Sequence, residues 1–265
     1  MGLAGPEIQT QLDFMGSSGL RSNLFVSDFV SGSPPIGATL GLNPDELTTA
    51  IRSTAITMHR KENVMAIHTG MIETVHDPAE IARQPLEAEL CSLVVVDIQE
   101  RLLPPIFEKE RLIRNSQLLI RLAGILKMPI LATTQYVKGL GPIVPEIASL
   151  LPPTPAIDKM EFGCFGSQEF CSAVKLLPGN RTTLLLCGME SHICVTQTAL
   201  GAIQEGYLVH VASDAVSSRT EWNWKIGLRR MEAAGAVISS TEMMMYELMR
   251  ASGTAVFKEM LQHLK

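Results

Sequence analysis

Leu184-Leu185-Leu186-Cys187-Gly188-Met189-Glu190-Ser191-His192-Ile193-Cys194-Val195 decides how the chain folds. It opens as a short apolar run, breaks at Gly188, and resumes as a helix predicted from about His192 to Glu205. A buried strand, a tight turn and a helix N-terminus form the device by which α/β folds present a reactive group. Cys194 falls on the first turn of that predicted helix, where backbone N–H groups are unpaired and the partial charge is positive. Both effects favour thiolate over thiol, and the thiolate is the nucleophile. The plainer reading of a lone cysteine there is a small buried apolar residue. The rest of the chain decides between the two.

Leu93-Val94-Val95-Val96 is a continuous Val-rich run, the pattern of a parallel strand buried on both faces, and it ends in Asp97. Arg111–Leu126 is amphipathic, with Leu112, Leu119, Leu122 and Leu126 near helical spacing. Pro129–Thr134 reads as the second strand. A loop from Gln135 to Pro142 follows, without His, Asp or Glu and so without metal ligands. After the rigid Pro152-Pro153-Thr154-Pro155 connector, Ala156–Asp158 is a short strand leading into Lys159. Ser167–Leu177 is helical and Thr182–Cys187 is the central strand. Leu208–Ala212 is the next strand, and Ser213–Thr220 a polar strand-end loop. Glu221–Ala234 is a helix stopped by Gly235. Ala236–Ser239 is the last strand, Thr241 caps a helix through about Met249, and the tail from Val256 is helical. This alternation predicts a doubly wound α/β domain with about six parallel strands in residues 91–250. Right-handed crossovers then set the strand C-termini along one edge.

The 265 residues are 46% hydrophobic, enough for one large core with an extension. A net charge of −5 leaves no basic footprint for nucleic acid. Five cysteines without C-x-x-C spacing read as reduced thiols, with neither a disulfide framework nor a zinc site. No apolar run approaches a membrane span. Residues 1–90 differ from the rest. Their Gly-, Ser- and Pro-rich start carries no convincing secretory signal or transit peptide. Asn43-Pro44 predicts a helix from Pro44 to about Met58, and Asp77-Pro78 another start. The segment reads as an N-terminal extension, partly helical or mobile, or else as an arm for a partner subunit. Absence of targeting signals makes cytoplasmic localisation the expectation.

Asp97, Lys159 and Cys194 all follow strands and so converge at one sheet edge. A base, a cation and a nucleophile together make a chemical site. Asp97 can accept the thiol proton, Lys159 can hold Asp97 ionised and oriented, and the turn Met189–Cys194 can direct backbone N–H groups at an oxyanion. The set Val95-Val96-Asp97-Ile98-Gln99, Lys159 with Phe162, and Gly188-Met189-Glu190-Ser191-His192-Ile193-Cys194-Val195 resembles the isochorismatase-like cysteine hydrolases. Thr134–Gly141 and Asp214–Arg219 further resemble the loops of isochorismatase domain-containing proteins. The resemblance covers about residues 91–262. It implies a three-layer fold with a six-stranded parallel sheet in the order 3-2-1-4-5-6 and an Asp97, Lys159, Cys194 triad. It also implies a cis peptide at Met189–Glu190, and an oxyanion hole from the N–H groups of Glu190 and Cys194. Members form dimers, tetramers or larger assemblies, so a homo-oligomer is expected.

Two departures narrow the chemistry. Nicotinamidases of this family carry an Asp/His/His metal site where this chain has Gln135-Tyr136-Val137-Lys138, and true isochorismatases lack the cysteine. The expectation is therefore a hydrolase without metal or other cofactor, cleaving an amide-type C–N bond of a small molecule through a Cys194 thioester. Gln135, Tyr136, Phe162 and His192 are expected to line the substrate pocket. Glu190 contributes its backbone, Trp222 and Trp224 pack at an interface, and Arg219 pairs with Asp214 or meets a substrate carboxylate. Two other readings stay open. One is an oligomeric binding or scaffold protein that keeps the fold with little turnover. The other is a redox sensor, which needs a resolving thiol near Cys194; Cys187 is the neighbour in sequence.

Overall fold

The computed structural model describes residues 84–264; the helices expected after Asn43 and Asp77 lie outside these. Six parallel strands are ordered β3-β2-β1-β4-β5-β6, as expected. They are β1 (Cys91–Val96), β2 (Ile130–Gln135), β3 (Ile157–Lys159), β4 (Thr183–Met189), β5 (Leu208–Ser217) and β6 (Val237–Ser239). The helices are α1 (Lys109–Ile125), α2 (Val137–Leu140), α3 (Pro145–Ala148), α4 (Gln168–Lys175), α5 (Thr196–Gln204), α6 (Glu221–Ala233), α7 (Thr241–Met249) and α8 (Ala255–Met260). Ser167, Thr220, Ser240 and Thr254 accept backbone N–H bonds at the starts of α4, α6, α7 and α8. Ser240, rather than Thr241, is thus the cap of α7. Among the described residues, no helix is long and apolar enough to cross a membrane.

Strand alternation splits the core into two layers. Leu93, Val95, Leu185 and Cys187 face α1, α7 and α8, where they meet Leu112, Leu119, Met244 and Met260. Val94, Val96, Leu184 and Leu186 face α4, α5 and α6, meeting Phe170, Val195, Ala199 and Met231. β1 and β4 are buried along their whole length. This explains their unbroken apolar runs, since each has helices on both faces.

Two strands run further than their sequence pattern shows. β4 continues through Gly188 to Met189, because Gly188 sits in register with Val96 and holds a left-handed φ of 120°. A Cβ on Gly188 would stand 2.1 Å from the Val96 carbonyl oxygen. Only glycine fits, and what reads in sequence as a break is a close approach of two backbones. Gly188→Ala is therefore expected to be strongly destabilising, by more than about 3 kcal/mol. Urea denaturation monitored by circular dichroism checks this; a loss under about 1 kcal/mol would contradict the packing. β5 also extends, through the polar Ser213–Ser217. It does so across a register irregularity opposite Leu186–Gly188, which re-aims its end toward the β4 turn.

Candidate active site

Three strand ends build the site. Asp97 follows β1 with φ 51°, a left-handed conformation that Asp tolerates better than most residues. Its carboxylate is fully buried and doubly held. Lys159 Nζ lies 2.6 Å from Oδ2, and the Thr133 hydroxyl donates to Oδ1 at 2.7 Å. Lys159, the last residue of β3, is buried as well. Its ammonium spends its other hydrogens on Gln135 Oε1 (3.1 Å) and the Phe162 carbonyl (3.2 Å). All three donors of the lysine are thereby committed to fixed protein acceptors. Lys159 thus acts as a built-in counter-charge to Asp97.

Gln135 is held in turn. Its Nε2 donates to the Met160 carbonyl at 2.8 Å, and its backbone N–H donates to Gln99 Oε1 at 2.7 Å. Gln99 also donates to the Gln135 and Gly141 carbonyls. With both amide ends bonded internally, Gln135 supports the lysine rather than offering a free polar group to a ligand. Tyr136 (46% exposed) and Phe162 (54% exposed) are open to solvent.

Cys194 comes from the turn after β4. The Met189–Glu190 peptide is cis. Residues Ser191–Val195 form one wide turn of π type, in which Val195 N–H donates to the Glu190 carbonyl at 3.2 Å, and α5 begins only at Thr196. Cys194 therefore sits on this π turn rather than on the first turn of the α-helix. Its thiol is largely buried and lies close enough to Asp97 and Lys159 to feel both charges. Burial raises its pKa to about 12, the Asp97 charge adds to this, and Lys159 opposes it. Removal from water outweighs the helix-terminus effect, so at neutral pH the sulfur keeps its proton until a base takes it.

Ser218 and Arg219 hold the turn that carries Cys194. Arg219 does not pair with Asp214, which instead accepts from Thr241 N and Oγ1 at 2.7 and 2.9 Å. The guanidinium grips Glu190, with Nη2 to Oε1 at 2.6 Å and Nε to Oε2 at 3.0 Å; Arg219 N also donates to Oε2 at 3.0 Å. Burial pushes the Glu190 carboxyl up, but these bonds and the Arg219 charge outweigh it and hold the group below the usual range. His192 Nδ1 lies 2.9 Å from Ser218 Oγ, which also meets Ser191 Oγ at 2.6 Å. Burial lowers the His192 pKa against the pull of Glu190. Trp224 packs within the chain, under Arg111 and beside Phe107, with its indole N–H on the Ser213 carbonyl. Trp222 is exposed.

The other cysteines sort by position. Cys91 opens β1, about 20 Å along the strand from Asp97. Cys187 is sealed in the core layer opposite Cys194. Cys164, which the sequence does not single out, shares the cluster. Its Sγ lies 3.9 Å from Thr133 Oγ1, and its pKa is raised to about 11 by burial, lowered by Lys159 and raised again by Asp97. Thr133 and Cys164 carry no sequence signal of their own, and Gln99 and Ser218 fall inside motif stretches without a role assigned to them there. Among the described residues, no three His, Cys, Asp or Glu side chains gather as a metal group.

A doubly wound α/β domain with Cys, Asp and Lys clustered at the strand C-termini defines a cysteine hydrolase site. The comparisons with known proteins agree. Residues 91–243 match the isochorismatase domain model, and the chain belongs to the isochorismatase-like cysteine hydrolase family. It is 36% identical over 176 residues to the secreted isochorismatase effector Isc1 of Phytophthora sojae, covering 65% of this chain and 83% of that one. The MAR1 ribonuclease structure from Caenorhabditis elegans is 32% identical, with a TM-score of 0.64 over 68% of this chain and 92% of that one. The YcaC gene product of Escherichia coli, described as an octameric hydrolase of unknown specificity, is 28% identical with a TM-score of 0.63; the match covers 68% and 90% of the two chains.

Proposed function

We propose that this protein is a cysteine hydrolase that cleaves an amide-type C–N bond of a small molecule. The observation that carries the reading is the buried Asp97–Lys159 pair, whose charges bear directly on the Cys194 thiol. Asp97 takes the proton from Sγ as sulfur bonds to the substrate carbonyl carbon. The carbonyl oxygen takes up the negative charge against the N–H groups of Glu190 and Cys194. The C–N bond then breaks, and the amine leaves with the proton from Asp97. Water adds to the thioester while Asp97 accepts its proton. The acid departs and sulfur is reprotonated. Lys159 transfers no proton; its three bonds keep Asp97 oriented and charge-balanced through the cycle. The thiol's raised pKa supports a base-assisted attack over a preformed thiolate.

Tyr136, Phe162 and the free edge of His192 line the mouth in this reading, and residues 91–265 form the catalytic domain, with 1–90 as an extension. The octameric YcaC relative supports assembly into a homo-oligomer. Five free cysteines suit a reducing cytoplasm. A nucleic-acid substrate, as the nematode relative's name would suggest, has no support in a chain of net charge −5.

The pH dependence of Cys194 alkylation tests the coupling, with Cys194→Ser supplying the background from the other thiols. In the wild type, the rate should keep climbing above pH 10, in keeping with a thiol pKa near 12. Asp97→Asn removes a charge that raises that pKa, so the rise should move to lower pH. Lys159→Ala removes a charge that lowers it, so the rise should move higher. A profile indifferent to both changes would defeat the proposal.

A further inference from the structure

The segment Ser217–Thr220 lies outside the Asp97, Lys159, Cys194 cluster, yet it bonds three successive residues of the turn before Cys194. Arg219 holds Glu190 through two side-chain donors and one backbone donor. Ser218 Oγ meets Ser191 Oγ at 2.6 Å, and His192 at both its backbone N (3.4 Å) and Nδ1 (2.9 Å). From the other side, α6 closes on the same turn: a Cβ on Gly227 would stand 2.8 Å from the Ser191 carbonyl carbon and 2.9 Å from His192 N. The Glu190 side chain is only 6% exposed, whereas that of Arg219 is 56% exposed. An arginine more than half in water spends a bidentate grip on a buried carboxylate that belongs to the turn.

We propose that Ser218 and Arg219 are positioning residues, which fix the Glu190–Ser191–His192 backbone so that the N–H groups flanking it face the acyl oxyanion. The inference rests on the cysteine-hydrolase reading above. The physical reason lies in the bonds themselves. A carboxylate held by three donors fixes the Glu190 side chain in one place, and a planar guanidinium loses little freedom in holding it. The Glu190 carbonyl is itself held by Ile193 N–H (3.0 Å) and Val195 N–H (3.2 Å). Side chain and carbonyl together leave the Glu190 peptide no freedom to tilt. Oxyanion donors act only if aimed before the charge develops, and a displacement of about 1 Å can cost roughly 100-fold.

Two reagents separate the turn from the thiol. p-Nitrophenyl acetate acylates Cys194 through a tetrahedral oxyanion: Asp97 takes the thiol proton, the S–C bond forms, the C–O bond breaks and p-nitrophenolate leaves. Iodoacetamide alkylates the same sulfur by direct displacement of iodide, with no oxyanion. Arg219→Ala should slow acylation about 10- to 100-fold while leaving alkylation within about 3-fold of wild type. Arg219→Lys should recover part of the loss, keeping one contact but not the fork. Glu190→Gln, which keeps the side-chain size, should show the same selective loss even if Arg219→Ala folds poorly. Cys194→Ser gives the background for both reagents. Parallel losses in the two reactions, or no loss in either, would overturn the positioning role while leaving the hydrolase reading intact. A wild-type thiol that alkylates but never acylates would overturn the hydrolase reading, and this inference with it.

Discussion

Cys194→Ala is expected to reduce turnover at least about 10^4-fold while the fold stays intact. Without the sulfur, no acyl intermediate forms. The residual rate rests on the oxyanion donors and Asp97 acting on water, and nucleophile deletions in comparable sites cost this much or more. The structural cost is small, because the change removes one buried atom from a side chain already as small as cysteine, on the order of 1 kcal/mol. The melting temperature should therefore shift by only a few degrees. Cys164→Ala is the informative partner. Cys164 lies in the same cluster and its Sγ reaches Thr133, which holds Asp97. Any buried thiol near these charges could be mistaken for the nucleophile, but Cys164 contacts the base only through a hydroxyl. Its loss should lower turnover less than about 10-fold. The burst of p-nitrophenolate in a stopped-flow trace measures both variants against wild type. If the burst survives in Cys194→Ala and vanishes in Cys164→Ala, the roles are reversed. If it survives in both, acylation happens elsewhere and the binding-protein reading returns.

The sheet was legible because its strands are buried on both faces. Such strands must be written as unbroken apolar runs, and Leu93–Val96 and Leu184–Cys187 are such runs. Strand ends were less legible for a physical reason. Gly188 looks like punctuation, yet it is in the ladder because a neighbouring carbonyl excludes a Cβ. The polar residues at the end of β5 look like loop, yet they are strand because the register irregularity turns them toward the nucleophile turn. The cluster was readable where a charged residue followed an apolar run, since buried Asp and Lys are rare without a partner. Its support was not readable. Thr133 and Ser218 are small polar residues of ordinary composition, and only the fold shows whose hydrogen bonds they complete. How strongly burial weighs against the thiolate was not readable either, because sequence shows a turn or helix end but not how much water is excluded around it.

Lys159→Ala should unfold the protein more readily and abolish turnover, and the two effects separate in a double variant. The ammonium and the Asp97 carboxylate are both fully removed from solvent at 2.6 Å. Deleting the lysine leaves a buried carboxylate whose remaining side-chain donor, among the described residues, is Thr133, and unpaired buried charges of this kind cost about 3–5 kcal/mol. For a domain of this size, that is a fall in melting temperature of roughly 10 °C. Asp97 can relieve the strain by taking up a proton, but it is then no longer a base. Activity is thus lost by a route separate from unfolding. Lys159→Met combined with Asp97→Asn removes both charges at similar volume. Stability should then return most of the way, because a buried ion pair contributes little net over neutral residues of the same shape. Turnover should stay absent, because the base is gone. Thermal melts and the ester burst, measured on both variants, test this directly. A double variant that regains stability without activity assigns the pair to chemistry. A double variant as unstable as Lys159→Ala would mean that the pair serves mainly to hold β1 to β3, and Asp97 would lose its place as the base.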